Sequence, residues 1–104
     1  MKSRLTFFCF AITLGLGGCD AYRRDDMAIA VGKTLFEQHC AACHSIEGQG
    51  SIFKDYPPVK ATALETLEIV HRVTVSQPEN RKMPTFTDLS EADAELIARF
   101  VKTL

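Results

Sequence analysis

Cys40-Ala41-Ala42-Cys43-His44 sets two thiols and an imidazole at a spacing that can do chemistry. Two cysteines separated by two residues and followed at once by histidine match the pattern by which a haem is attached covalently. The sulfurs add to its two vinyl groups, and the imidazole is held beneath the iron. On a helix, offsets of three and four residues bring positions 40, 43 and 44 to one face. Three other chemistries use part of the pattern. A thioredoxin-like dithiol shares Cys-x-x-Cys but belongs near a βαβ unit, and no alternating strand runs occur here. Structural zinc needs four ligands and would have to recruit His44, His39 or His71, there being no second cysteine pair. A disulfide across two residues closes too short a loop to stabilise much. The pattern favours one haem c bound through Cys40 and Cys43, with a non-haem redox or zinc protein as the alternative.

The elements that must carry this motif fit one small helical domain. A chain of 104 residues, 46% hydrophobic and 24% charged, has no room for a two-domain enzyme. A net charge of −1 without a long basic run argues against nucleic acid as a partner. Ile29, Gly32, Phe36, Cys40 and Cys43 recur at steps of three and four, a helical stripe that ends on the motif, with Asp25 or Asp26 able to cap its start. Gly48 and Gly50 then mark a loop, and Tyr56-Pro57-Pro58-Val59 is stiff and extended because each proline restricts its predecessor. Thr62-Ala63-Leu64-Glu65 has a capping-box pattern and opens a second helix through Leu64, Leu67, Val70 and Val73 or Thr74, ending near Ser76. Ser90-Glu91-Ala92-Asp93 opens a last helix with Ala94, Leu96, Ile97, Phe100, Val101 and Leu104 as its apolar residues.

Residues 1–18 are expected to lie outside this domain. Lys2 and Arg4 precede an uncharged, largely apolar run of 12 residues, Leu5 to Leu16, too short for the roughly 20 residues of a spanning helix and suited to a secretory signal. Leu16-Gly17-Gly18-Cys19 resembles the lipobox of bacterial lipoproteins, which implies acylation of Cys19 and cleavage just before it. Asp20 resembles the signal that keeps such proteins in the inner membrane. The expected organisation is a removed signal at 1–18, a lipidated tether at 19–27 and a globular domain at 28–104, on the periplasmic side of the bacterial inner membrane. As a flexible coil, the eleven residues Asp20 to Ala30 would reach about 18 Å.

From roughly Ala30 to Leu104 the chain resembles the small class I c-type cytochromes. The resemblance implies an all-α cytochrome c fold, three main helices with long loops around one covalently attached haem. In that family a glycine and an aromatic residue of the first helix cross the last helix. Gly32 and Phe36 match them, with Leu96 and Phe100 opposite. Tyr56-Pro57-Pro58-Val59 is similar to the loop whose proline carbonyl holds the proximal histidine, which makes Pro57 the candidate acceptor and sets Val59 against the haem. Met83-Pro84-Thr85-Phe86 resembles the distal loop whose methionine sulfur binds the iron. His71, inside the second helix, is the rival sixth ligand, and His39 is expected to point away from the haem.

With His44 and Met83 as axial ligands, the iron has no open position, and the chain is an electron carrier rather than an enzyme. The implied partners are a membrane-bound oxidase, reductase or dehydrogenase, with the chain itself possible as a subunit, and the lipid bilayer through acylated Cys19. Arg81 and Lys82, with Lys54 and Lys60, could steer an acidic partner to the haem edge or be solvated loop charges. An open iron site would instead give a gas sensor or a peroxide reductase.

Overall fold

The computed structural model describes residues 18–75 and 82–104. They form four helices, α1 (Gly18–His39), α2 (Ala41–His44), α3 (Thr66–Thr74) and α4 (Glu91–Val101), and among them there is no β-strand. The fold is all-α, as the sequence indicates, with α2 a single turn carrying the thiol–imidazole motif.

α1 runs unbroken for 22 residues and begins well before Asp25 and Asp26. No glycine or proline interrupts it between Cys19 and Val31, Ala21, Arg23, Arg24, Met27 and Ala28 are good helix formers, and Asp20 sits in the first turn, where a negative charge suits the helix dipole. The expected flexible tether is therefore helical, although its side chains from Cys19 to Met27 are exposed. Further along, Gly32, Phe36 and Cys40 turn inward as a buried stripe.

The stripe meets α4. A Cβ at Gly32 would overlap the Leu96 carbonyl oxygen and lie 2.7 Å from its carbon, so only glycine lets the two backbones cross this closely. One turn on, the rings of Phe36 and Phe100 meet at a centroid distance of 5.3 Å, tilted by 59°. Ile97 and Phe36 are the largest fully buried side chains, and Ala94 and Ala98 have no exposed surface. α4 starts where expected: Ser90 Oγ accepts from the Asp93 backbone N–H at 3.0 Å, and the Asp93 carboxylate accepts from the Ser90 N–H at 3.4 Å.

α3 departs from expectation at its start. Thr62 Oγ1 accepts from the Leu64 N–H in a local turn, and the helix is capped three residues later, where the Glu68 carboxylate accepts from the Glu65 N–H at 2.7 Å. Val70 and Val73 are buried as expected, and Ile69 with them, while Leu67, expected inside, is 78% exposed. The helix ends at Thr74, and Ser76 lies outside the described residues.

Candidate functional site

At Cys40 the backbone leaves the path of α1, and the next turn, α2, carries Ala41 to His44. The His44 N–H donates to the Cys40 carbonyl at 2.9 Å, which closes the motif on itself. Cys40 is buried and Cys43 half-buried, and both thiols are free. Burial, with Cys43 adding to it, pushes the Cys40 thiol up to about 11, so it is neutral at physiological pH. Thioether formation replaces this ionisable group by one with no charge to desolvate.

Both sulfur residues and His44 line a cavity of about 730 Å³. Its apolar floor comes from Phe36, Ile97 and Val101, and its walls include Val59, Val73 and Phe86. The size falls within the range of cofactor sites, about 300–1,000 Å³. Among the described residues no three His, Cys, Asp or Glu side chains are grouped to hold a metal ion by themselves, so zinc has no ligand set here. A flat apolar ligand that brings its own metal ring fits this lining.

The loop after α2 orients the histidine. His44 Nδ1 donates to the Pro57 carbonyl at 2.8 Å, which places the ring proton on Nδ1 and leaves the Nε2 lone pair for a metal. Gly50 makes this approach possible. Its φ is +69°, its N–H donates to the His44 carbonyl at 2.8 Å, and a Cβ would lie 2.7 Å from the Pro57 carbonyl oxygen. Gly48, with φ +75°, accepts from the N–H groups of Val59 and Lys60. Pro57 is exposed and Val59 half-buried, and both line the cavity.

Met83 is half-buried, lines the same cavity and packs against the hydrophobic core. Its segment is tied to α3 by the Phe86 N–H, which donates to the Val73 carbonyl at 3.1 Å. Lys82 reaches back 27 residues to Asp55 at 2.7 Å, and this ammonium holds the Asp55 carboxyl below its ordinary range. Lys82 is thus ion-paired, while Arg81 lies outside the described residues. His71 is exposed on α3 and is not in the lining.

His39 behaves differently from its expectation. It is half-buried, lines the cavity and meets Phe86 edge-on at 5.8 Å. His39 lies three residues after the buried Phe36 and so shares the inward face of α1. Arg72 and Asp55 also line the cavity. Neither carried a recognisable signal, since an arginine inside a helix and an aspartate in a loop read as solvated charges. Gly50 could have been singled out by its place between the motif and the prolines.

Comparison with known proteins bears on these residues. Residues 27–101 match the family described as cytochrome C oxidase, cbb3-type, subunit III. The chain is 36% identical over 73 residues to cytochrome c6 of Cyanidium caldarium, covering 67% of this chain and 65% of that protein. It therefore spans slightly less than two thirds of that relative's length. It is 33% identical over 76 residues to cytochrome c6 of Cyanidioschyzon merolae (strain NIES-3377 / 10D), covering 70% of this chain and 71% of that protein. No solved structure matches at the same level. These likenesses make the cavity a haem c site, the porphyrin being joined through Cys40 and Cys43.

Proposed function

The chain belongs to the c-type cytochrome family described as cytochrome C oxidase, cbb3-type, subunit III, and from this we propose that it carries single electrons as a monohaem protein held at a membrane. His44 and Met83 are the axial ligands in this reading. The bond from His44 Nδ1 to the Pro57 carbonyl carries it, because a histidine whose proton is held on one nitrogen presents the other as a permanent ligand. Met83 supplies a neutral thioether from the same lining. When bound, the haem supplies a one-electron iron couple, and methionine ligation raises its potential relative to a second histidine. With haem bound, His44 and Met83 would hold the iron from both sides and leave no position for oxygen or peroxide, which favours transfer of electrons over gas sensing or peroxide reduction. The exposure of His71 and its absence from the lining favour Met83 over His71 as the second ligand.

Cys19, in the first turn of α1, carries the lipid in this reading. The thiol is exposed, as acylation requires, and two acyl chains suffice for stable attachment. Among the described residues no helix is long and apolar enough to cross a membrane. The protein then works on the periplasmic side of the inner membrane, passing electrons to or from a membrane-bound oxidase, reductase or dehydrogenase, or serving as a subunit of one.

Spectroscopy of the oxidised protein with haem attached tests the ligands. We expect the weak near-infrared absorption of iron bound to methionine sulfur, lost in Met83→Ala while the haem stays covalently attached. Carbon monoxide should bind reduced Met83→Ala and not the reduced parent. Persistence of the band in the variant overturns Met83. Cys19→Ser should move the protein from the membrane to the soluble fraction with its spectrum unchanged.

A further inference from the structure

We propose that α1 is a stiff spacer that holds the haem cavity about 30 Å from the lipid on Cys19, so that the redox partner presents its own centre in an aqueous domain standing clear of the bilayer and not at the membrane surface. This rests on the acylated electron-carrier reading above and adds the height at which the exchange takes place. Cys19 lies in the first turn of α1, and His39, the last residue of the helix, lines the haem cavity. At a rise of about 1.5 Å per residue the helix sets these two residues about 30 Å apart along its axis. A flexible coil would let the haem fall back toward its anchor, whereas a helical linker keeps its ends apart.

The two halves of α1 have different surroundings. From Ile29 onward the helix packs on the core, Gly32 against the Leu96 backbone and Phe36 against Phe100. From Cys19 to Met27 every side chain is exposed, so the domain does not need this length for its own core. A free helix so short is marginal because its first turn is costly to form, but this one grows from turns that α4 already fixes and gains one backbone bond per residue. Asp20 and Arg24 stand four residues apart with the acid first, the spacing that supports a helix. At the base of the projecting half, Asp25 and Ile29 share a groove with Thr66, Arg99 and Lys102, which sets a carboxylate toward two cations where the rod leaves the domain.

The exposed half is not built to lie on lipid. Tyr22 and Met27 are exposed, but an offset of five residues puts them on different faces. Met27 and Val31 share a face, and two residues fall short of the continuous apolar face of an interfacial helix. Asp20, Asp25 and Asp26 outnumber Arg23 and Arg24, so an anionic lipid surface does not draw this segment down.

The test uses the full-length, acylated, haem-loaded protein in phospholipid vesicles that carry a fluorescent headgroup, which the haem quenches by energy transfer that falls steeply with distance. With residues 21–27 replaced by alternating glycine and serine and Asp20 kept, quenching should rise, because a flexible segment lets the haem approach the headgroups. Equal quenching in parent and variant overturns the spacer. In membranes of its host, which hold that cell's oxidoreductases, the reduced protein's oxidation is followed optically. Inserting two helical turns, about seven residues, after Ala21 keeps every face in register and moves the haem about 10 Å outward. The rate with these membranes should fall about tenfold or more while the rate with ferricyanide is unchanged. An unchanged membrane rate overturns the fixed height of the partner. A Cys19→Ser protein that binds the vesicles as the parent does removes the acylation reading, and a parent that the membranes do not oxidise removes the electron-carrier reading. Both results are distinct from a bound, oxidised parent matched by its variants.

Discussion

The two sides of the haem cavity are built by different means. On the proximal side, backbone groups do the holding. Gly50 donates to His44, Val59 and Lys60 donate to Gly48, Ser51 and Tyr56 exchange bonds, and the Pro57 carbonyl receives the histidine proton. On the distal side, the described segment around Met83 is tied by one backbone bond, from Phe86 to Val73, and by an exposed ion pair, Lys82 with Asp55. A ligand fixed by interlocked backbone bonds shifts only if the loop is unmade, whereas one on a segment with fewer such bonds moves at smaller cost. Among the described residues, the segment of the proposed ligand His44 is thus held by more backbone bonds than that of the proposed ligand Met83.

Phe36 lies beneath both sides, so removing it should break both together and give the largest effect. Phe36→Ala leaves a cavity against Phe100 and is expected to cost about 3–5 kcal/mol in chemical denaturation. Broadening of the resonances of His44 and Met83 alike would accompany it.

Gly50→Ala strikes the proximal side only. The left-handed backbone alone costs about 1–3 kcal/mol for a side-chain-bearing residue, and the overlap with Tyr56 and Pro57 adds to this. The proton on His44 Nδ1 should exchange faster with solvent as the Pro57 carbonyl is pushed away, while the Met83 near-infrared band persists. Loss of that band first, with Nδ1 exchange unchanged, would reverse the assignment of which side is rigid.

The smallest effect is expected at the distal ion pair. Lys82 is 62% and Asp55 87% exposed in their side chains, so Asp55→Asn should barely change the melting temperature. The bond nevertheless has a readable signature. Because Lys82 holds the folded carboxyl of Asp55 below its unfolded value of 3.8, the pair's contribution is full above that value and is lost as pH falls through the lower folded one. Carboxyl titration by NMR should show the depressed pKa in the parent and its return toward the ordinary range in Lys82→Gln. An unaltered titration would mean that the pair does not form in solution.

What was legible in the chain followed the range of the interactions. The attachment motif and the Ser90 cap are local, each completed within five residues, and neighbouring elements do little to change them. Gly32 and Phe36 were legible as a stripe, and Gly32 owes its identity to the close passage of Leu96. The start of α3 was not legible, because the capping pattern at Thr62-Ala63-Leu64-Glu65 forms only a local turn, while the helix is capped at Glu65 through Glu68, with Ile69 buried and Leu67 in water. His39 was misjudged although its offset of three from Phe36 sets it on the inward face of α1. The Asp55–Lys82 pair spans 27 positions, a separation at which no local pattern operates.

The linear order of residues by itself determined the cofactor chemistry, the helical class and the candidate proximal ligand, since covalent attachment and helix capping depend on neighbours a few bonds apart. Only the tertiary structure decided which ring faces His39, how far α1 extends as one rod and that Ile52 and Phe53 stand in water. Those outcomes depend on which segments compete for the same buried space, and that competition is resolved only once the backbones have closed around one another.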